Sequence, residues 1–260
     1  MKYLDCHAHL YDEKLCNQID DIVSSSKRNG CVGIYNCGDS LDSLTKILSI
    51  KDQYSDICHT VLGIHPEFAL ENDDYFKQAY EIINKNISNI EAIGEIGLDY
   101  HYSKEEKLKT KQKELFIEQI RLAKRHNLPI VVHSRDAGED TLKIIKEEKP
   151  IKTYLHCYSD SKEIFNQYLK LGIPVFFGIG GVLTFKNAKT IQDIVFSSSL
   201  DVFLSETDSP YLSPEPYRGK INTPANIPLI IKQVSKLKNI DEEKVAKILL
   251  DNGERFYGIK

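Results

Sequence analysis

The chain has 260 residues, of which 41% are hydrophobic and 28% charged, and its formal net charge is −4. This composition is that of an ordinary globular protein and excludes a disordered or fibrous one. The length suits one (β/α)8 barrel, so we expect residues 1–260 to form a single domain. The charge gives no overall attraction to nucleic acid, which would have to be bound by a local basic patch or by metal ions.

The cysteines and the N-terminus bear on the cellular location. The six cysteines form no CxxC pair and have no regular spacing, which argues against a disulfide framework and for a reducing compartment. The N-terminal sequence lacks the apolar stretch of a signal peptide, and no run approaches the roughly 18 apolar residues of a membrane span. We therefore expect a cytoplasmic protein that does not bind a membrane.

Short β-rich segments alternate with amphipathic helical patterns along the chain. The strands are predicted at 2–6, 31–36, 57–63, 90–95, 129–133, 152–157, 173–178 and 201–205. The helices are predicted at 17–29, 40–52, 73–86, 104–127, 136–148, 161–171, 187–197, 225–238 and 241–250. This alternation predicts parallel strands and an α/β fold, the (β/α)8 TIM barrel. An open doubly wound sheet permits the same alternation, but candidate ligands on the first, fourth, fifth, sixth and eighth strands favour a closed barrel.

Histidine and acidic side chains lie where these apolar segments end. In a barrel the carboxyl ends of the strands converge on one face, where the fold keeps its catalytic groups. Four imidazoles and two carboxylates are enough to bind two divalent metal ions. The predicted ligands are His7, His9, Glu95, His133, His156 and Asp208.

Some of these signals are stronger than others. Because alternate residues of a strand point to the same face, His7 and His9 can enter the site together, although a lone HxH triplet also occurs among surface or core histidines. A carboxylate such as Glu95 is costly inside a barrel unless it is paired or metal-bound, and pairing with an arginine is the alternative. Asp99 could equally cap a loop. Asp208 could bind a metal or accept a proton from the attacking water.

Further residues suit a polyanionic substrate. Arg135 shares a strand face with His133 and offers a planar fork to a phosphate. Tyr158 is likewise predicted to share a strand face with His156, two residues apart. Cys157, between them, is predicted to point to the other face, into the core.

Two loops add candidates for phosphate contact. His65 ends the third strand, where a structural loop histidine is the alternative interpretation. Arg218 lies in the Pro-rich segment 209–228 beside the last predicted ligand, where a solvated surface charge is the alternative.

Several of these segments form motifs that follow one another in a fixed order. They are Asp5-Cys6-His7-Ala8-His9-Leu10, Gly63-Ile64-His65-Pro66, 92–100, His133-Ser134-Arg135-Asp136-Ala137, His156-Cys157-Tyr158-Ser159, 206–211 and Arg218-Gly219-Lys220. Together they resemble the TatD family of metal-dependent deoxyribonucleases, from Asp5 nearly to the C-terminus. Ser205 and Gly253 depart from the sequence pattern of that family, but neither residue touches the predicted ligands.

The resemblance implies a TIM barrel with a two-metal centre that hydrolyses phosphodiester bonds, often as a 3′-to-5′ exonuclease on DNA. Glu95 would bridge the ions, with one further set of ligands for each ion: His7, His9 and Asp208 on one, His133 and His156 on the other. Two ions about 3.5–4 Å apart would activate the attacking water. Imidazoles favour zinc or manganese, whereas the family is usually described as magnesium-dependent, so the metal stays open.

Two other functions stay open at this point. One is a metal-dependent hydrolase of a lactone, cyclic amide or aminoacyl ester on the same barrel, where many relatives bridge their metals through a modified lysine instead of a residue such as Glu95. The other is a non-catalytic nucleic-acid or protein-binding barrel, which predicts gaps in the ligand set, and the set has none. Exonuclease or endonuclease action, DNA or RNA as substrate, and the oligomeric state are not decided by the sequence.

Overall fold

The computed structural model describes residues 1–101 and 105–258, in which strands and helices alternate. Strands β1 to β8 cover Tyr3–Ala8, Cys31–Cys37, Cys58–Leu62, Ala92–Asp99, Ile130–Arg135, Thr153–Leu155, Val175–Ile179 and Phe203–Ser205. Helices α1 to α9 cover Ile19–Arg28, Leu41–Gln53, Asp73–Asn86, Glu106–Arg125, Gly138–Glu148, Lys162–Tyr168, Lys189–Ser197, Ile227–Lys238 and Glu242–Tyr257. None of the helices in these ranges is long and apolar enough to cross a membrane.

Within these ranges the strands form one eight-stranded sheet whose order follows the sequence from β1 to β8. Successive strands pair in parallel, as β4 does with β5. Ser209, four residues after the end of β8, bridges in parallel to Ala8 of β1, so the first and last strands are neighbours. Sequential order with a helix after each strand is the (β/α)8 barrel, which confirms the predicted fold class. A doubly wound sheet, whose strand order reverses, is excluded.

Distances between Cα atoms divide the chain into two compact units. Unit 1 contains Met1–Asn36, Ile50–His59 and the described residues from Phe176 onward. Unit 2 contains Cys37–Ser49 and the described residues of Thr60–Val175. The organisation of residues 1–260 as one domain stays a prediction.

In unit 1, the last helix packs against β1 and β8. Its start is fixed by Asp241, whose side chain accepts hydrogen bonds from the backbone N–H groups of Glu243 and Lys244. A Cβ atom at Gly253 would lie 2.7 Å from Leu4 Cδ1, so the glycine lets α9 approach β1 closely. This close packing explains why position 253, which departs from the family pattern, is occupied by glycine.

In unit 2, strands β4 and β5 extend further than the sequence predicts. The predicted ends at residues 95 and 133 are wrong, because pairing continues until Asp99 lies opposite Arg135. Glu95 and His133 therefore lie inside their strands and not at the ends. The predicted helix 104–127 is present from Glu106, and residue 104 lies outside the described residues.

Gly97 is the residue that permits this pairing. Its φ angle is +145°, and a Cβ atom built there would lie 2.0 Å from the carbonyl oxygen of His133. An L side chain cannot occupy that space, so β4 and β5 can approach at this register only with glycine at position 97.

We expect Gly97→Ala to lower the free energy of unfolding by about 3 kcal/mol or more, because both the backbone angle and the overlap with β5 are unfavourable. The matched control is Gly172→Ala, where φ is +72° and nothing lies within 4 Å of the added Cβ atom. That variant should lose only about 1–2 kcal/mol. Urea unfolding of both variants measures the difference, and equal losses would show that close strand packing is not the constraint at Gly97.

Candidate metal centre

Unit 1 brings together His7, His9 and Asp208, which we call the first cluster. The Nε2 atoms of His7 and His9 are 3.1 Å apart, as expected if both side chains point to one face of β1. Asp208 Oδ1 lies 3.4 Å from His9 Nε2 and 3.7 Å from His7 Nε2. Three donor atoms from opposite ends of the sequence therefore face one another.

Backbone hydrogen bonds between the end of β1 and the segment that follows β8 hold this cluster. The N–H of Asp208 donates to the carbonyl oxygen of His7 at 2.9 Å, and the N–H of His9 donates to that of Ser209 at 2.8 Å. Asp208 has a φ angle of +56°, a left-handed turn to which aspartate is better suited than most residues. The aspartate is thus fixed against the HxH segment by the main chain.

Asp5 connects the same two segments through its buried side chain. Its Oδ1 accepts hydrogen bonds from the N–H groups of His7 and Thr207 at 3.3 and 2.9 Å, and its Oδ2 accepts one from the Thr207 hydroxyl at 2.5 Å. Burial raises the pKa of Asp5 to about 7, although these hydrogen bonds oppose that shift. The sequence does not predict this role for Asp5, whose local signal is an acidic residue inside an apolar strand.

Unit 2 brings together His65, Glu95, His133 and His156, which we call the second cluster. Oε1 of the buried Glu95 lies 2.7 Å from His156 Nε2, 2.9 Å from His133 Nδ1 and 3.8 Å from His65 Nε2. The facing nitrogens of His133 and His156 are 3.2 Å apart. One carboxylate oxygen is therefore surrounded by three imidazoles.

Asp99 orients the His133 ring from its other side. Asp99 Oδ2 lies 3.0 Å from His133 Nε2, and Asp99 Oδ1 accepts the N–H of His101 at 2.9 Å. The residue therefore caps a loop and also contacts a predicted ligand. Burial opposes a charge on His133, but its hydrogen bonds to Asp99 and Glu95 outweigh burial and raise its pKa to about 9. A carboxylate on the second ring nitrogen is the usual support of a metal-binding histidine.

His65 was predicted as a substrate contact and lies among the ligands of the second cluster. Its Nδ1 accepts the N–H of Glu67 at 3.3 Å, which fixes the ring, and the ring centroid is 4.5 Å from that of His133. Burial, followed by the adjacent charge of His133, lowers the pKa of His65 to about 4. The imidazole is therefore neutral at pH 7, and because Nδ1 accepts a hydrogen bond, Nε2 carries the proton and can donate one.

The donor atoms in both clusters fit a divalent cation. Zinc binds imidazole nitrogen and carboxylate oxygen at about 2.0–2.2 Å, so two ligands of one ion lie about 2.8–3.6 Å apart at octahedral or tetrahedral angles. The donor separations given above, 3.1–3.7 Å in the first cluster and 2.7–3.2 Å between Glu95, His133 and His156 in the second, lie near that range. Mixed imidazole and carboxylate donors also suit the metals of hydrolases.

The remaining predicted contacts lie in different surroundings. Arg135 ends β5 and its carbonyl oxygen accepts the N–H of Tyr100 at 2.9 Å. Arg218 lies on the exposed surface of the β8 loop, with its guanidinium carbon 4.2 Å from the centroid of the Phe185 ring. The phosphate contacts of Arg135 and Arg218 therefore stay predictions.

The predicted strand alternation from His156 to Tyr158 is wrong. Strand β6 ends at Leu155, and Cys157 has a φ angle of +45°, so the side chains that follow do not alternate. The Tyr158 hydroxyl donates to the carbonyl oxygen of Ser161 at 2.9 Å, at the start of α6. Cys157 is partly exposed and does not lie in the core.

One further acidic residue was part of a motif but was not predicted as a site residue. Glu206 is fully buried, and its Oε2 lies 2.5 Å from where a Cβ atom on Gly178 would be. A glycine in β7 therefore makes room for this carboxylate.

Comparison with known proteins identifies relatives over the whole chain. The family model described as TatD related DNase matches residues 4–258. The chain is 34% identical to YabD of Bacillus subtilis over 98% of both proteins, and 34% identical to YcfH of Escherichia coli K12 over 100% of this chain and 97% of YcfH. Both are described as uncharacterized metal-dependent hydrolases. The crystal structure of YJJV, a TatD homologue from Escherichia coli, superposes on this chain with a TM-score of 0.90 at 23% sequence identity. The superposition covers 99% of this chain and 98% of YJJV, and it supports the fold.

We expect Asp99→Asn to weaken the affinity for Zn²⁺ by about 10- to 100-fold, because the amide no longer favours the His133 ring orientation as the carboxylate does. The matched control is Asp136→Asn, which removes an exposed carboxylate 2.8 Å from His101 Nδ1. Its affinity should equal that of the unmodified protein. Titration against a competing chelator at pH 7 measures both, and an unchanged affinity for Asp99→Asn would show that Asp99 does not support a metal ligand.

Proposed function

The chain belongs to the TatD family of metal-dependent hydrolases, and on that basis we propose that it is a deoxyribonuclease that hydrolyses phosphodiester bonds, acting as a 3′-to-5′ exonuclease. The observation that carries the proposal is the arrangement of the predicted ligands in two clusters with donor spacings suited to divalent cations. DNA is the proposed substrate, and RNA is the other polyanion with the same chemistry.

We assign each ligand to one of two ions. His7, His9 and Asp208 would hold the first ion, His133 and His156 the second, and Glu95 would bridge them. Bound divalent ions, whether Mg²⁺, Mn²⁺ or Zn²⁺, would lower the pKa of the attacking water and neutralise charge on the scissile phosphate.

The side chains around the clusters have their own proposed roles. Asp208 lies beside the imidazoles of His7 and His9, and its carboxylate would accept the proton of the attacking water. The neutral His65 imidazole would hydrogen-bond to an oxygen of the substrate phosphate. Arg135 and Arg218 would contact phosphates along the strand, since a guanidinium matches a phosphate with two parallel hydrogen bonds.

The substrate class is tested with the metal-loaded protein. The enzyme, stripped and reloaded with Mg²⁺, Mn²⁺ or Zn²⁺, is offered single-stranded DNA, double-stranded DNA, RNA and a panel of lactones, cyclic amides and aminoacyl esters. We expect release of nucleotides from DNA that stops when a chelator is added. Activity confined to the ester, amide and lactone panel would refute the proposal and favour the alternative hydrolase.

Glu95→Ala should lose most bound metal and most nucleotide release, because the variant removes the oxygen that lies closest to three imidazoles. The control is Glu114→Ala, which removes a carboxylate paired with Lys111 on the surface of α4. Elemental analysis of both proteins measures the metal content. A full complement of metal in Glu95→Ala would contradict the bridging role.

Asp208→Asn separates the two roles of that side chain. The amide oxygen can still face His7 and His9, but the amide nitrogen cannot accept a proton. We expect most metal to be retained and the turnover number to fall by about 100-fold or more, the usual cost of losing a general base. Metal content and turnover are measured on the same sample. A parallel loss of both would make Asp208 a ligand only, and near-normal turnover would remove it from the reaction.

A further inference from the structure

Tyr211 is an exposed aromatic residue beside the first cluster. It is 45% exposed, although large aromatic side chains are usually buried. Its ring centroid lies 6.4 Å from that of His9, with the planes inclined at 63°. A substrate bound at His9 would therefore meet this ring.

The ring is held in place by several contacts. Its hydroxyl donates to Asp12 Oδ2 at 2.8 Å, and its backbone N–H donates to the carbonyl oxygen of Asp208 at 2.8 Å. The Tyr211 carbonyl oxygen accepts a hydrogen bond from the Asn222 side chain at 2.9 Å. An exposed ring fixed in this way loses little conformational entropy when a ligand binds it.

A cation is held over the same ring. Lys14 Nζ lies 4.8 Å from the centroid of the Tyr211 ring. Asp12 contacts both residues, because its Oδ1 accepts the backbone N–H of Lys14 at 2.8 Å while its Oδ2 accepts the Tyr211 hydroxyl. One carboxylate thus fixes the ring by its hydroxyl and also fixes the backbone of the residue whose cation covers one face of that ring.

The same combination recurs in the loop that follows β8. Lys220 Nζ lies 5.6 Å from the centroid of the Tyr217 ring, which is 43% exposed. The guanidinium of Arg218 lies over Phe185, as described above. A surface that repeats aromatic rings next to cations suits a ligand that repeats flat rings next to negative charges, and a single nucleic-acid strand has that pattern.

We propose that Tyr211 is a base-stacking residue, on which a base of single-stranded DNA stacks while Lys14 contacts the adjacent phosphate; this rests on the proposed nuclease function. In a duplex both faces of each base are covered by neighbouring base pairs, so the residue would favour unpaired ends. Tyr211 is thereby a specificity-determining residue that selects a free base next to the metal ligands.

The proposal is tested with variants and with substrates that lack a base. Loss of a stacking aromatic weakens binding of single strands by about 5- to 150-fold. We expect Tyr211→Leu to weaken binding of a thymidine oligonucleotide within this range and to raise KM more than it lowers kcat. Tyr211→Phe keeps the ring and should bind nearly as well as the unmodified protein.

Abasic oligonucleotides distinguish stacking from a structural role. The same oligonucleotide is prepared with an abasic unit at each of the last three 3′ positions, and binding is measured by fluorescence anisotropy with phosphorothioate linkages that slow cleavage. At the position that stacks, removal of the base should weaken binding to the unmodified protein and leave binding to Tyr211→Leu unchanged. The matched control is Tyr54→Leu, which removes a tyrosine that donates to Asp20 at 2.5 Å near the amino end of β3. It should bind all oligonucleotides normally.

Equal weakening of the complete and abasic oligonucleotides by Tyr211→Leu, or no weakening at all, overturns the stacking role. Equal weakening by Tyr54→Leu also overturns it. If the protein releases nucleotides but the effect of Tyr211→Leu on binding does not depend on the base, the nuclease function is supported and the stacking role is refuted. Base-dependent binding without nucleotide release supports the stacking role and refutes the nuclease function, and a protein that neither binds nor cleaves oligonucleotides refutes both.

Discussion

A carboxylate that is buried away from water stays ionised only if positive charge lies nearby. This requirement determines which side chains surround the buried carboxylates of the strands. Glu95 is only 3% exposed, and Asp5 is fully buried. Asp5 accepts three hydrogen bonds from neutral donors. Because such donors solvate a charge without neutralising it, burial raises the pKa of Asp5. At Glu95, the raised pKa of His133 shows a proton serving as the cation beside the carboxylate. A divalent ion would provide that positive charge more effectively than one proton.

The backbone determines which atoms are available to such an ion. Pairing of β4 with β5 places Gly97 opposite His133, and the approach of these strands brings Glu95 and His133 within hydrogen-bond distance. In unit 1 the N–H of Asp208 donates to His7, so the aspartate follows the position of β1. Ligands that are fixed by strand pairing need little reorganisation on binding. The exposed rings and cations, in contrast, lie on loops, where they can contact a substrate without disturbing that frame.

The sequence predicts the fold well because parallel strands are buried on both faces and appear as short apolar runs. It predicts strand ends less well. Asp99 and Arg135 look like loop residues, yet they continue their strands because each finds its partner on the neighbouring strand. Tyr158 was misplaced because the left-handed conformation of Cys157 breaks the alternation on which the prediction depended. The support that Asp5 gives to Thr207 spans 202 positions, and no local pattern contains that information.

The ligand set also contains a difference that residue types alone do not reveal. His7, His9 and His156 face their clusters with Nε2, whereas His133 faces Glu95 with Nδ1. Asp99 explains the exception, since a carboxylate 3.0 Å from Nε2 favours the tautomer with its proton on that atom. Once His133 gives up the Nδ1 proton that faces Glu95, the lone pair of Nδ1 is directed at Glu95 and His156. Asp99 therefore decides which nitrogen of His133 can bind a metal, and a motif that lists only the ligands omits the residue that makes one of them a ligand.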